Sequence, residues 1–153
     1  MAPKIATTTD VDRPQLDEFI RTRHRGLLIT SRADGNPQAS PVTCGLGSDG
    51  RILIATYPSR AKTANARRDP EVSIVVISDE WDGPWVQVDG TAEVTDVPDA
   101  VDGLVEYFRC ISGEHPDWDE YRDAMVRQGK SLIAITPRRW GPIATGGFPP
   151  ELG

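Results

Sequence analysis

Two cysteines, two histidines and three lysines in 153 residues leave several kinds of chemistry short of material. Cys44 and Cys110 stand in no CxxC pattern and are too few for a disulfide scaffold, so both read as packed thiols. His24 ends a polar helix and His115 precedes Pro116 in a loop, which are poor settings for heme ligands. No apolar run is long enough to span a bilayer. The opening MAPKIATTTDVDRP lacks the apolar stretch of a secretory signal. The expectation is a cytoplasmic protein with no membrane partner. A GxGxxG string occurs at residues 45–50 (GLGSDG), but it lies at a turn between two strands and opens no helix, and there is no GxxxxGK[ST], so the sequence offers no basis for a Rossmann or P-loop site. No Ser-His-Asp set, metal-ligand cluster or carboxylate pair stands out, so no catalytic residue and no metal ligand is nominated.

What is present suits one domain over residues 1–153, with no repeat and no linker. Hydrophobic residues make up 38% and charged residues 26%, which are values for a folded chain. The formal net charge is −6, which argues against a nucleic-acid partner. A local basic cluster on that acidic background is therefore informative.

Asp12 is placed to cap a first helix with Pro14 in its first turn, Leu16, Phe19 and Ile20 on its apolar face, and an end near Arg25-Gly26. Leu27–Ser31, Gln38–Leu46 and Arg51–Thr56 then read as three strands separated by turns at ADGNP and Ser48-Asp49-Gly50. No helix connects them, so they form an antiparallel meander. Ser59–Arg68 reads as a short helix with Ser59 as its N-cap, stopped by Asp69-Pro70. Strands at Glu71–Ser78 and Trp85–Val97 follow, the latter with Gly90 as a bulge or bend. Helices at Pro98–Ile111 and Trp118–Gln128 precede a last strand at Ser131–Thr136. The total is about six strands, mostly antiparallel, with helices at the edges: an α+β barrel.

The stretch TYPSRAKTANARRDP places Ser59, Arg60 and Lys62 at a helix start directly after a strand. The first amides of a helix lack intrahelical partners, and the helix dipole favours an anion there. Ser59 adds a hydroxyl, Arg60 a planar fork, Lys62 a point charge, and Thr56 ends the preceding strand within reach. The set reads as a phosphate cradle, or as a capped helix with solvated basic residues.

Those residues, with Asn65 and Arg68-Asp69-Pro70-Glu71-Val72-Ser73, resemble a segment of the pyridoxamine 5'-phosphate oxidase-like split-barrel family. Asp34-Gly35-Asn36-Pro37-Gln38, Ser40-Pro41-Val42 and Gly90-Thr91-Ala92-Glu93-Val94 add to the likeness. Within that family the chain resembles the branch of deazaflavin (coenzyme F-420) dependent oxidoreductases. The resemblance implies a six-stranded split β-barrel and a homodimer, with the cofactor in grooves between subunits. It implies that Ser59, Arg60 and Lys62, above Thr56, hold the cofactor phosphate. It also implies that Pro41, Val42 and Thr43 run under the tricyclic ring. The activity implied is hydride transfer to a small conjugated substrate, with FMN as the alternative cofactor and a non-catalytic carrier as the alternative role. The substrate segment Arg-x-His of the oxidases is absent, and Arg138-Arg139-Trp140 stands near the C-terminus instead.

A glutamate-bearing cofactor tail needs positive charge beyond the phosphate. Arg67 and Arg68, or Arg21, Arg23 and Arg25, are the candidates, and solvated faces are the alternative. Tyr57 is either a proton donor or a packed aromatic. Trp81, Trp85 and Trp140 suit a flat substrate, an interface or plain packing. Trp118 reads as core, and Phe148-Pro149-Pro150 either closes over a pocket or hangs free.

Overall fold

The computed structural model describes residues 7–8 and 10–146, so Phe148-Pro149-Pro150 lies outside the described residues. In chain order the elements are β1 (Thr7–Thr8), α1 (Arg13–Arg21), β2 (Arg25–Ser31), β3 (Pro37–Thr43), β4 (Gly45–Leu46) and β5 (Ile52–Thr56). Then come α2 (Ala61–Arg68), β6 (Glu71–Ile77), β7 (Val86–Asp96), α3 (Val101–Ser112), α4 (Trp118–Gln128), β8 (Ser131–Trp140) and β9 (Ile143–Ala144). No described helix is long and apolar enough to cross a membrane.

Helix α1 starts as its sequence predicts. The Asp12 carboxylate accepts from the Gln15 amide and the Gln15 side chain accepts from the Asp12 amide, both at 2.8 Å. Leu16, Phe19 and Ile20 are buried. The helix stops at Arg21, short of the expected Arg25-Gly26. Both of those residues pair with β3 on one side and β6 on the other. A side chain on Gly26 would meet Ile74 at 3.1 Å, so this glycine serves close strand packing and not helix termination.

Seven strands, one more than expected, form a single antiparallel sheet in the order β3-β2-β6-β7-β8-β5-β4. The extra strand comes from a break at Cys44. The run Gln38–Leu46 pairs with β2 up to Thr43, then with β5 from Gly45. At the break, the Cys44 amide donates to the His24 carbonyl at 2.8 Å. Both edge strands are thus joined by one residue, which requires the sheet to curl until its edges approach. The result is an α+β fold with a curled half-barrel sheet and four described helices. A small separate pair, β1 with β9, lies beside Trp85, which exchanges backbone hydrogen bonds with Ala144.

The curl leaves two apolar faces to cover. Leu28, Ile52, Ile54, Ile74, Val76, Val88, Ile133 and Ile135 point inward with the α1 side chains. On the other side of β5 and β8, Leu53, Leu132 and Ala134 pack against Leu104, Tyr121 and Met125 of α3 and α4. Strand β5 is buried on both faces, which explains its unbroken run Ile52-Leu53-Ile54. Gly90 does mark a bulge: the β7–β8 register shifts between Asp89 and Gly90. A Cβ there would lie 2.5 Å from the Thr136 carbonyl oxygen. Strand β8 runs on to Trp140, past the expected end at Thr136, because β7 continues to pair with it beyond the bulge.

Candidate functional site

Beyond Thr56 the chain turns sharply, with the Arg60 amide donating to the Tyr57 carbonyl at 3.1 Å. Arg60, not Ser59, is the N-cap of α2, and no side chain caps the helix. The Arg60 carbonyl accepts from the Thr63 and Ala64 amides, both at 3.1 Å. Ser59 and Arg60 are exposed and Lys62 is half-buried. The turn brings these three residues to one corner of the sheet.

Thr56 has a different position. It is 4% exposed, and its hydroxyl lies 3.1 Å from that of the buried Thr63. This pair fastens the start of α2 to the end of β5. Farther along α2, the Asn65 amide donates to the Thr30 hydroxyl at 3.1 Å, and Arg68 donates to Asn65 Oδ1 at 2.7 Å and to the Ser31 carbonyl at 3.1 Å. Thr30 donates to Gln38, which in turn donates to Ser40 at 2.8 Å. A chain of hydrogen bonds therefore runs from α2 to the edge strand β3.

Pro41, Val42 and Thr43 lie on that strand, at its far end from α2. Gln38 and Thr43 are about 16 Å apart at the usual rise per residue. Pro41 and Thr43 are exposed, while Val42 is half-buried against the main core. The Thr43 carbonyl accepts from the Tyr107 hydroxyl at 3.0 Å. Burial pushes that phenol's pKa up. The sequence-predicted residues thus form two groups, a basic corner and a strand edge, and the hydrogen-bond chain from the later part of α2 ends at Ser40, beside the second group.

The charge distribution separates the corner from the rest of the surface. Most arginines carry a carboxylate partner, among them Arg21 with Glu18, Arg25 with Asp79 and Arg67 with Asp96. Among the described residues, Arg23, Arg32, Arg60, Lys62, Arg68 and Lys130 have none within 4.0 Å. Arg23 is held elsewhere, over the Phe19 ring at 3.9 Å. Arg60 and Lys62 begin α2, Arg68 ends it, and Lys130 faces the preceding turn. Burial lowers the Lys62 pKa, and the neighbouring Arg60 charge adds to the effect. Both effects act in one direction, and no carboxylate offsets them. Of the arginines considered for a cofactor tail, Arg21, Arg25 and Arg67 are already paired, and Arg68 is engaged with Asn65 and Ser31.

Two features escaped the sequence reading. Lys130 stands 4.1 Å from the Tyr57 ring centroid, although 73 positions separate them. Only the β5–β8 pairing brings them together. The second is a groove of 440 Å³ on the outer sheet face, lined in part by Ile29, Ser73, Gln87, Asp89, Arg138 and Arg139. Within it Asp89 accepts from Ser73 at 2.7 Å and from two Arg139 nitrogens at 2.7 and 3.0 Å. The Ser73 hydroxyl, followed by Arg139, holds this carboxyl below its ordinary pKa. Alternating polar residues at 71 and 73, and at 87 and 89, were the available signal for such a face.

The remaining candidates have local explanations. His24 Nδ1 donates to the Cys44 carbonyl at 2.9 Å. His115 Nδ1 accepts from the Asp117 amide at 2.9 Å and its ring packs with Phe108, Trp118 and Tyr121. Cys44 is buried, its pKa pushed up to about 12. Cys110 donates to the Leu46 carbonyl at 2.9 Å. Trp140 donates to the Val11 carbonyl at 2.7 Å, whereas Trp81 is 93% exposed.

The family model described as pyridoxamine 5'-phosphate oxidase matches residues 13–144, which is most of the chain and includes every element of the site. The chain belongs to the pyridoxamine 5'-phosphate oxidase family. Solved structures share the split-barrel fold of this family. One is a conserved hypothetical protein of Mycobacterium tuberculosis, with 24% identity, a TM-score of 0.71, and coverage of 88% of this chain and 86% of that one. A protein described as an F420 reductase has 19% identity, a TM-score of 0.61, and coverage of 82% and 94%. The heme storage protein HutZ of Vibrio cholerae has 20% identity, a TM-score of 0.63, and coverage of 87% and 95%. At these identities the likeness speaks for the fold alone, so the ligand of this oxidase-family chain has to be argued from its own residues.

Proposed function

We propose that this protein is an oxidoreductase that binds the deazaflavin coenzyme F-420 and reduces a small conjugated organic substrate. The observation that carries the reading is the corner at α2: Arg60 and Lys62 are unneutralised cations in a chain of net charge −6. A forked guanidinium and an ammonium with no acceptor of their own fit a phosphate. Ser59 and the uncapped start of α2 add donors to the same corner. Thr56 acts through Thr63, holding the helix in place. Pro41, Val42 and Thr43 supply the strand along which the ring system lies.

When bound and reduced, the deazaflavin supplies a hydride. The chain's own residues contribute position and charge, and none of them is assigned proton transfer. We further propose a cytoplasmic homodimer with the cofactor between subunits. An edge strand without one fully buried residue, beside Leu27 at 36% exposure, supports a covered face there. FMN is the second reading, because the same corner fits its phosphate equally well.

The test is titration of the purified apo-protein with coenzyme F-420 and separately with FMN, followed by tryptophan fluorescence. Tighter binding of F-420 supports the reductase and justifies a substrate screen with reduced cofactor. Tighter binding of FMN moves the assignment to a flavoprotein. Failure to bind either compound sinks the proposal. Binding without turnover of any acceptor points to a carrier.

A further inference from the structure

We propose that Lys130, seated on the ring of Tyr57, is a second anion-binding residue, and that the site takes a ligand with two separate anionic groups. This rests on the reading that the turn before α2 holds an anion, and it extends that site by one residue from another part of the chain.

The geometry begins with the β5–β8 ladder, whose last pair is Thr56 with Ser131. One step beyond the ladder, Tyr57 and Lys130 face each other, and the ammonium lies 4.1 Å from the ring centroid. A cation over an aromatic face is held in direction without losing its charge. The Lys130 backbone is pinned on both sides. Its amide donates to the Met125 carbonyl at 3.2 Å and its carbonyl accepts from the Val97 amide at 3.1 Å. Gly129, with φ of 65°, makes the sharp exit from α4 that sets this position. Tyr57 is also the first residue of the turn that Arg60 closes. Ends of such a turn lie within about 7 Å. Lys130 thus sits on the first residue of this turn and Arg60 is its last, with Lys62 one step into the helix.

The carboxylate facing this corner is Asp96, opposite Ser131 on β7. It already accepts from Ser131 and from Arg67. Lys130 has no carboxylate within salt-bridge distance among the described residues, so its charge remains for a ligand. One phosphate satisfies the Arg60–Lys62 side. A second anionic group along the same ligand, whether a further phosphate or a carboxylate, satisfies Lys130.

The test uses inorganic probes, so it does not depend on which cofactor is natural. Isothermal titration compares orthophosphate with tripolyphosphate on the wild-type protein and on Lys130→Gln, Lys130→Arg, Tyr57→Leu and Arg127→Gln. Wild type should bind tripolyphosphate more tightly than orthophosphate by about tenfold or more. Lys130→Gln should lose most of that advantage, Tyr57→Leu part of it, and Lys130→Arg little. Arg127→Gln, which removes one charge elsewhere on α4, should keep it. Melting curves check that each variant is folded. Equal binding of the two probes to wild type overturns the proposal, as does a full advantage in Lys130→Gln or an equal loss in Arg127→Gln. A tripolyphosphate preference that depends on Lys130, in a protein that binds neither F-420 nor FMN, would retire the cofactor assignment and leave this site standing.

Discussion

Helix α2 and the α3–α4 pair sit on the same sheet and are attached to it in opposite ways. The pair is fastened by apolar area: Leu104, Val105, Tyr121 and Met125 cover Leu53 and Leu132. Its charges are neutralised locally, with Arg122 on Asp102 and Arg127 on Glu120. Helix α2 buries little beyond Ala66 and is fastened by hydroxyls and an amide at Thr63 and Asn65. Its cations at the leading end are left without partners. A helix that only had to cover a core would be built like α3 and α4. Polar anchors fix direction better than apolar contacts do, at a smaller gain in stability. α2 is thus fixed in direction by its polar anchors, with two unneutralised cations at its leading end.

The contrast can be tested by disturbing each side separately. Leu104→Ala should produce the largest effect, a loss of about 2–5 kcal/mol in chemical denaturation. Its binding of F-420 or FMN under native conditions should match wild type, and a comparable loss of affinity would break the comparison. Arg60→Gln with Lys62→Gln should do the reverse. Charge-assisted hydrogen bonds contribute roughly 1.5–3 kcal/mol each, so affinity should fall by about tenfold or more while the melting temperature holds or rises. Affinity in wild type should also fall as pH rises toward the lowered Lys62 pKa, and Lys62→Arg should move that fall to higher pH.

Asn65→Ala should affect both properties, since it breaks the link from Arg68 to Thr30. A cost of about 1–3 kcal/mol in stability is expected. A weaker grip on a phosphate-bearing ligand should accompany it, with riboflavin binding unchanged. Equal weakening for both ligands would mean that Asn65 holds the fold and not the aim. The smallest effect concerns Asp89, whose depressed pKa stabilises the fold above its unfolded value near 4 and ceases to do so as pH falls through the folded value. Asp89→Asn should lower the melting temperature slightly at neutral pH and flatten its acid limb below about pH 4, where variant and wild type converge.

The same contrast explains what could be read without coordinates. The order of strands and helices was legible because period-two and period-3.6 patterns are local, and caps such as Asp12 announce themselves. The break at Cys44 was not, because Gln38–Leu46 is extended throughout and only its partners change. The end of α1 was misplaced because Gly26 looks like a helix terminator until Ile74 is seen beside it. Arg60, Lys62 and Ser59 were nominated from one segment of chain, but that segment does not reveal that the Ser59 hydroxyl leaves α2 uncapped. Thr56 was identified as part of the corner, but its burial against Thr63 depends on how α2 packs. Lys130 meets Tyr57 across 73 positions and nothing local marks that pair, whereas the Ser73–Asp89–Arg139 cluster left only the alternating polar residues of its strands as a signal.

A chain that visits both edges of its own sheet must settle its seams in some order. The β2–β3, β4–β5 and β6–β7 pairs each close a short loop, whereas β5 meets β8 with Leu53 opposite Ala134. Long-range closure is the slow kind, since its entropy must be overcome before its contacts form. Three hairpins should therefore appear early, and the contacts of the β5–β8 seam should form only after that slow closure, past the rate-limiting step. Ala134→Gly should then hasten unfolding far more than it slows refolding in a stopped-flow chevron. Equal changes in both limbs would place the seam inside the folding nucleus. Because Tyr57 and Lys130 meet only across that seam, the basic corner would be among the last parts of the molecule to assemble.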